Sequence, residues 1–154
     1  MNARLALFVL LTSTLGFTQQ ISTKANVLGF WAGESPHDAG VHAAALGLPR
    51  LTGCKNRSVT TTDYIDCEFL GTSTEKIQAT FHNGRLQRVE YNFRVERYSE
   101  FLLRISGDYG RPHVVHTPDG SELSKDWGGF KVEISLGKTY DNSSGWITVI
   151  FNGF

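Results

Sequence analysis

The sequence predicts an α+β domain made of two tandem α-β-β-β units that share one antiparallel sheet, with the helices packed on one of its faces. Three observations predict it. Two stretches, SPHDAGVHAAALGLP at 35–49 and YSEFLLRISGDYGRP at 98–112, carry the same signals to start and stop a short helix. The segments that follow each stretch alternate apolar and polar residues with period two. The chain has 154 residues, of which 40% are hydrophobic and 19% charged, and this suits one core rather than two.

The chain opens with MNARLALFVLLTSTLGF: one positive charge at Arg4, an apolar run from Leu5 to Leu11, then small residues through Gly16. That layout predicts a secretory signal peptide over 1–16, with cleavage after Gly16 or, as a second choice, after Ala25. The apolar run is too short to span a bilayer. No cysteine follows it, which argues against a lipid anchor. The mature chain, 26–154, then reads as a single domain of two repeats, about 30–96 and 97–154. It is periplasmic or secreted, with no membrane association once the signal is removed.

That compartment decides the cysteines. Cys54 and Cys67 are the only two in the chain, and in an oxidising space an isolated pair most simply forms one disulfide. A metal site needs more ligands than two thiols. Closing a loop of this length stabilises the fold by roughly 3 kcal/mol, mostly through the unfolded state.

In the first helix Ser35 stands at the N-cap, Pro36 at the first helical position and Asp38 in the first turn. Gly47 ends it and Pro49 keeps it ended. Gly40 inside costs about 1 kcal/mol relative to alanine, so tertiary contact must hold this helix. In the strand that follows, Ile65, Cys67 and Phe69 face one way and Tyr64, Asp66 and Glu68 the other. Ile77, Ala79 and Phe81 form the next inward set, and Val89, Tyr91, Phe93 and Val95 the third. A two-residue Asn83-Gly84 turn with regular pairing sets Ala79 opposite Arg88 and mixes core with solvent. A three-residue loop from His82 to Gly84, with a glycine bulge, sets Ala79 opposite Gln87 and Ile77 opposite Val89, and is the expected form.

In the second helix Ser99 is the expected cap, Phe101, Leu102 and Ile105 the apolar face, Gly110 the left-handed end and Pro112 the stop. VVHTPDGSEL reads as a strand entering a Pro118-Asp119-Gly120 turn. Phe130, Val132, Ile134 and Leu136 alternate with Lys131, Glu133 and Ser135. GWITVIF is apolar on both faces, which predicts a central strand. The count after the second helix is three or four strands. Trp31, Trp127 and Trp146 read as core.

A capped short helix ending in Leu-Gly-x-Pro and followed by strands resembles the repeat of the β-lactamase inhibitor protein and of the small BamE-type outer-membrane assembly proteins. Gly33, Glu34 and Ser35 stand where that pattern has Gly-x-Ser/Thr, and Leu46-Gly47-Leu48-Pro49 where it has Leu-Gly-x-Pro. Leu103, Tyr109-Gly110 and Pro112 repeat the ending in the second half. The Cys54 to Cys67 hairpin looks like the inhibitor's first disulfide loop. The resemblance implies a recognition surface rather than a reaction.

Templates of catalysis are absent: there is no GxSxG, no HExxH and no GxxxxGK[ST], and the glycines form no dinucleotide fingerprint. His113 and His116 in HVVH lie three apart, so on a strand their rings point to opposite faces and share no ion. No catalytic residue, metal or cofactor is expected. Lys plus Arg equals Asp plus Glu at 15 each, which leaves no net field to recruit nucleic acid or an anionic membrane. Arg85, Arg88, Arg94, Arg97, Arg104 and Arg111 are interleaved with Glu90, Glu96, Glu100 and Asp108, the pattern of a salt-bridged face.

The expected binding surface is the polar face of the sheet: Tyr64, Asp66 and Glu68 from one strand, Arg88, Glu90, Asn92 and Arg94 from another, Lys131 and Glu133 from a third, with Tyr140 at the rim. Mixed charge beside an aromatic suits docking to a protein of the envelope or medium, although an antiparallel sheet also commonly leaves one face merely wet. The expected function is a secreted or periplasmic protein-binding module, an inhibitor or accessory of another extracytoplasmic protein. Its rivals are an immunity or anti-lysozyme protein, and a small hydrolase or small-ligand carrier.

Overall fold

The computed structural model of the protein describes residues 25–57, 63–71, 75–129 and 131–152. The signal peptide expected at 1–16 and the strand residue Phe130 lie outside them. A small hairpin, β1 (Asn26–Val27) and β2 (Phe30–Trp31), precedes the first helix, α1 (Pro36–Ala45). Four strands follow: β3 (Arg50–Asn56), β4 (Tyr64–Leu70), β5 (Lys76–His82) and β6 (Arg85–Arg94). A single 3-10 turn over Val95–Arg97 leads into α2 (Tyr98–Tyr109). Four more strands close the order: β7 (His113–His116), β8 (Glu122–Gly128), β9 (Val132–Lys138) and β10 (Ser144–Phe151).

The caps of α1 follow from its sequence. Ser35 Oγ accepts the Asp38 backbone N–H at 3.2 Å, and Pro36 fills the position where a missing N–H costs nothing. At the other end Leu48 N donates to Ala43 O and Gly47 N to Ala44 O, with Gly47 at φ 91°. This paired closure needs a left-handed residue, and glycine takes it without strain. Leu48, fully buried, anchors the exit. The small face Ala39, Gly40 and Ala43 lets α1 lie close on the sheet, and a Cβ at Gly40 would touch the Phe69 ring.

The large sheet is antiparallel throughout, in the order β3-β4-β5-β6-β10-β9-β8-β7. β10 is central, as its apolar residues on both faces predict. Its inward set, Ile147, Val149 and Phe151, continues those of β6 and β9, and Phe93 of β6 lies over Gly145 so closely that a Cβ there would overlap the ring. Phe101 of α2 meets Tyr91 and Phe93 edge-on, with centroids 5.5 and 4.7 Å away. The β1–β2 hairpin tucks in on the same side: Tyr109 Oη donates to Asn26 O at 2.7 Å, and Phe30 packs against His42. Both helices and the hairpin thus cover one face.

Several expectations are corrected. α1 is followed by four strands, not three, and α2 by four, the larger of the two expected counts. The unforeseen β3 is solvent-exposed along its whole length, so no period-two pattern marks it. It is tied to β4 by the Cys54–Cys67 disulfide, formed between residues in register. The β5–β6 turn is the two-residue form, with Asn83 at φ 50° and Gly84 at φ 72°. The extra residue sits one step further in, at Gln87: Phe81 faces Leu86, Thr80 faces Arg88, and Ala79 faces Val89. A one-residue slip keeps core facing core, but it is stored in β6 rather than in the loop and runs opposite to the expected one: Ala79 pairs with Val89, not Gln87, and Ile77 with Tyr91, not Val89.

Ser99 is not a cap. The 3-10 turn feeds the helix directly, Arg97 occupies the N-cap, and no side chain caps it. Val95 leaves the sheet to start that turn and is only half-buried. Of the three tryptophans only Trp127 belongs to the core, its Nε1 donating to Gly110 O at 2.8 Å, whereas Trp31 and Trp146 are half-buried.

Candidate functional site

Pleating sends alternate residues to opposite faces, so the polar partners of the inward sets emerge together on the face away from the helices. Register makes them a lattice. One row crosses seven strands: Glu68, Gln78, Glu90, Thr148, Ser135, Asp126 and His113 are successive partners. A second row runs Asp66, Thr80, Arg88, Ile150 and Glu133. A third runs Lys76, Asn92, Trp146, Gly137 and Ser124.

Neighbours on this lattice hold one another. Thr80 Oγ1 donates to Asp66 Oδ1 at 2.6 Å, Ser124 Oγ to Asp126 Oδ1 at 2.7 Å, and Asn152 Nδ2 to Glu133 Oε1 at 2.8 Å. Arg88 donates to Glu90 along β6, while its Nε is buried without a hydrogen-bond partner. Tyr64 and His82 stack in register, centroids 4.4 Å apart and planes 12° from parallel. Trp146 lies across Gly137, where a Cβ would overlap the indole. Two hollows open on the β3–β6 half, of about 540 Å³ beside Thr52, Asp66 and Gln78 and about 300 Å³ beside Tyr64, Thr80 and Arg88.

Of the residues expected to bind, Tyr64, Asp66, Glu68, Arg88, Glu90, Asn92, Arg94 and Glu133 occur together on this face. Arg94 sits at its end, 3.9 Å from Glu75. Lys131 precedes β9 and is exposed; its carbonyl accepts the Asn152 N–H. Tyr140 stands apart from them: fully exposed on the β9–β10 turn, it borders a hollow lined by Tyr98 and Leu102 of α2. Sequence reasoning passed over Gln78, Thr80, Trp146, Thr148, Ser135 and Asp126. The polar positions alternating with Ile77, Ala79 and Phe81 carried the signal for the first two.

Of the arginine-rich stretch, Arg88, Arg94 and Arg97 are ion-paired. Arg97 bonds Glu100, lies 3.5 Å from Glu75, donates to Tyr91 Oη at 2.6 Å and covers the Phe101 ring at 4.6 Å. Burial, first of all, drives the Tyr91 phenol well above its usual range. Two turns at one end of the sheet share a device: the Asp119 and Asp141 carboxyls are held at about 2 by the hydroxyls of Thr117 and Thr139, then by Ser121 and Ser143.

On the open face the Ser124 hydroxyl is held by the Asp126 carboxylate, as Thr80 is by Asp66. Among the described residues no group of three or more His, Cys, Asp or Glu side chains is placed to hold a metal ion, and no helix is long and apolar enough to cross a membrane. Comparisons with protein-family models, with curated proteins and with solved structures found no match.

Proposed function

We propose that this chain is an exported protein-binding module, an inhibitor or accessory of another extracytoplasmic protein, which docks through the open face of its eight-stranded sheet. One observation carries the reading: α1, α2 and the β1–β2 hairpin all pack on the opposite face, and no element covers the polar face among the described residues. The chemistry of the face supports it. Charges of both signs lie beside Tyr64 and Trp146, a combination that selects partners by electrostatic complementarity around aromatic anchors. Side chains already held by their neighbours lose less freedom on docking.

The two-unit architecture belongs to the same proposal. Each half runs helix then four strands, and the last strand of each, β6 and β10, pair at the centre of the sheet. That order supports the likeness to the tandem repeat of the β-lactamase inhibitor. The Cys54–Cys67 disulfide and the apolar run at 5–11 support export.

The test is affinity capture from native envelope or culture fluid, followed by titration of the identified partner with two variants. Thr148→Arg plants a bulky cation at the centre of the face, and Arg94→Glu reverses a charge at its end. Each is expected to weaken the complex about tenfold or more while leaving the melting temperature within a degree or two. Unchanged affinity in both removes this face from consideration. A growth-protection assay against cell-wall hydrolases separates the narrower anti-lysozyme reading.

A further inference from the structure

On the helical side, away from the docking face, the segment entering α1 walls an open hollow of about 630 Å³ lined by Trp31, Glu34, Ser35, Asp38, Val41 and His42. Its position is fixed by the sheet: Gly33 N donates to Leu86 O, and Leu86 N to Glu34 O. The Glu34 side chain is only 6% exposed, and neither carboxylate oxygen has a hydrogen-bond partner. His42 Nε2 stands 3.3 Å from Oε2, in ion-pair range but not aligned as a hydrogen bond. A carboxyl so placed costs free energy that a good donor would recover.

We propose that this hollow binds a guanidinium group, with Glu34 as its counter-charge. The walls decide the sign of the ligand. Among the described residues Glu34 and Asp38 are its two carboxyls and no Lys or Arg lines it; Arg85, next to Leu86 on β6, is exposed and outside it. The positive end of α1 would favour an anion, but that end is already occupied. Ser35 Oγ takes the Asp38 N–H, Ser35 O takes the Ala39 N–H, Pro36 has none, and the Asp38 carboxylate sits in the first turn. The walls also decide the shape. A planar fork matches a carboxylate with two parallel N–H bonds, is weakly hydrated, and stacks on an indole such as Trp31. In the free protein the His42 imidazole holds the place beside Oε2 that one N–H of the ligand takes over.

The titratable groups facing the ligand are Glu34, from the β2–α1 connection, and Asp38 and His42, from α1. Burial raises the Glu34 carboxyl to about 7, so binding near neutrality expels its proton, and affinity rises from pH 5.5 to 8.

The test uses two probes in parallel by calorimetry on the full chain: ethylguanidinium, as a free small cation, and N-acetyl-arginine amide, as an arginine side chain. Neutral N-ethylurea is the control. Saturable one-to-one binding with Kd about 1 mM or tighter, proton release measured in buffers of different ionisation enthalpy, and at least a tenfold loss in Glu34→Gln support the site. Tighter binding of ethylguanidinium assigns a free small molecule, and tighter binding of the arginine amide a chain-borne side chain. No saturation by either, equal binding of N-ethylurea, or full affinity in a folded Glu34→Gln overturns it. Val41→Trp, at an exposed wall position, fills the hollow without adding a charge that could pair with the carboxyl, and is expected to abolish binding too; retained affinity there also overturns the site.

Discussion

Trp146 on β10 and Gly137 on β9 are register partners, and the indole rests on the glycine where any side chain would stand. An aromatic laid over a cross-strand glycine shields backbone that would otherwise be wet. Gly137→Val therefore has to expel the indole. The expected result is a loss of about 1–3 kcal/mol in unfolding free energy, with Trp146 emission shifted to the red. Denaturant unfolding followed by fluorescence checks both, and an unchanged midpoint would contradict the packing.

The disulfide holds β3, which buries no side chain of its own. A Cys54→Ser, Cys67→Ser double variant is expected to lose about 3 kcal/mol. Because β3 contributes so little core, α1, α2 and the other strands should keep their far-ultraviolet signature. Urea titration of both forms measures the difference.

Glu34 makes stability depend on pH in an unusual direction for an acid. Burial, reinforced by the Asp38 charge, lifts its carboxyl to about 7 from an ordinary 4.5. Between those two values the folded chain keeps a proton that the unfolded chain has released. The Glu34 contribution is therefore fully present below pH 4.5, declines as pH rises through the window, and levels above 7, with a loss of up to about 3 kcal/mol. Glu34→Gln should flatten that slope in a comparison of unfolding free energies at pH 4.5, 6 and 8.

At the start of α1, Ser35→Ala removes the acceptor for the Asp38 N–H. The expected cost is about 1 kcal/mol, and Ser35→Asp should restore most of it. Thermal unfolding of the two variants decides the matter.

The legible parts of the fold are those where one residue type has one physical use. Ser35, Pro36, Gly47 and Pro49 bound α1 because cap chemistry is local. Ile77, Ala79 and Phe81 identify β5 because a half-buried strand must alternate. β10 is recognisable as central because its outward residues Trp146 and Ile150 are apolar as well as its inward set, although that outward face is only half-buried. What escapes the sequence depends on partners far along the chain. β3, with Leu51 as its one large apolar residue, is a strand only because β4 and a cystine make it one. The bulge at Gln87 satisfies a register requirement that a longer turn would have met equally well. The helix-entry turn at Val95–Arg97 depends on Arg97 reaching Tyr91, Glu75 and Glu100 at once. On the open face, Glu68, Arg88 and Glu90 follow from alternation alone. Trp146 does not, since nothing local to GWITVIF says that its indole rests on a distant glycine.

Among the described residues the eight strands do not close on themselves, so β3 and β7 remain as rims whose outer backbone groups pair with no further strand. β7 is four residues long, and β3 is kinked by the irregularity between Leu51 and Gly53 and carries Arg50 and Lys55. Neither offers an approaching copy much straight ladder on which to zip. The cystine keeps the longer rim folded back in that unwelcoming shape. Reduction then does more than loosen a hairpin: it releases a pliable ribbon beside an exposed β4, and the expected fate of the reduced protein at high concentration is polymerisation into fibrils.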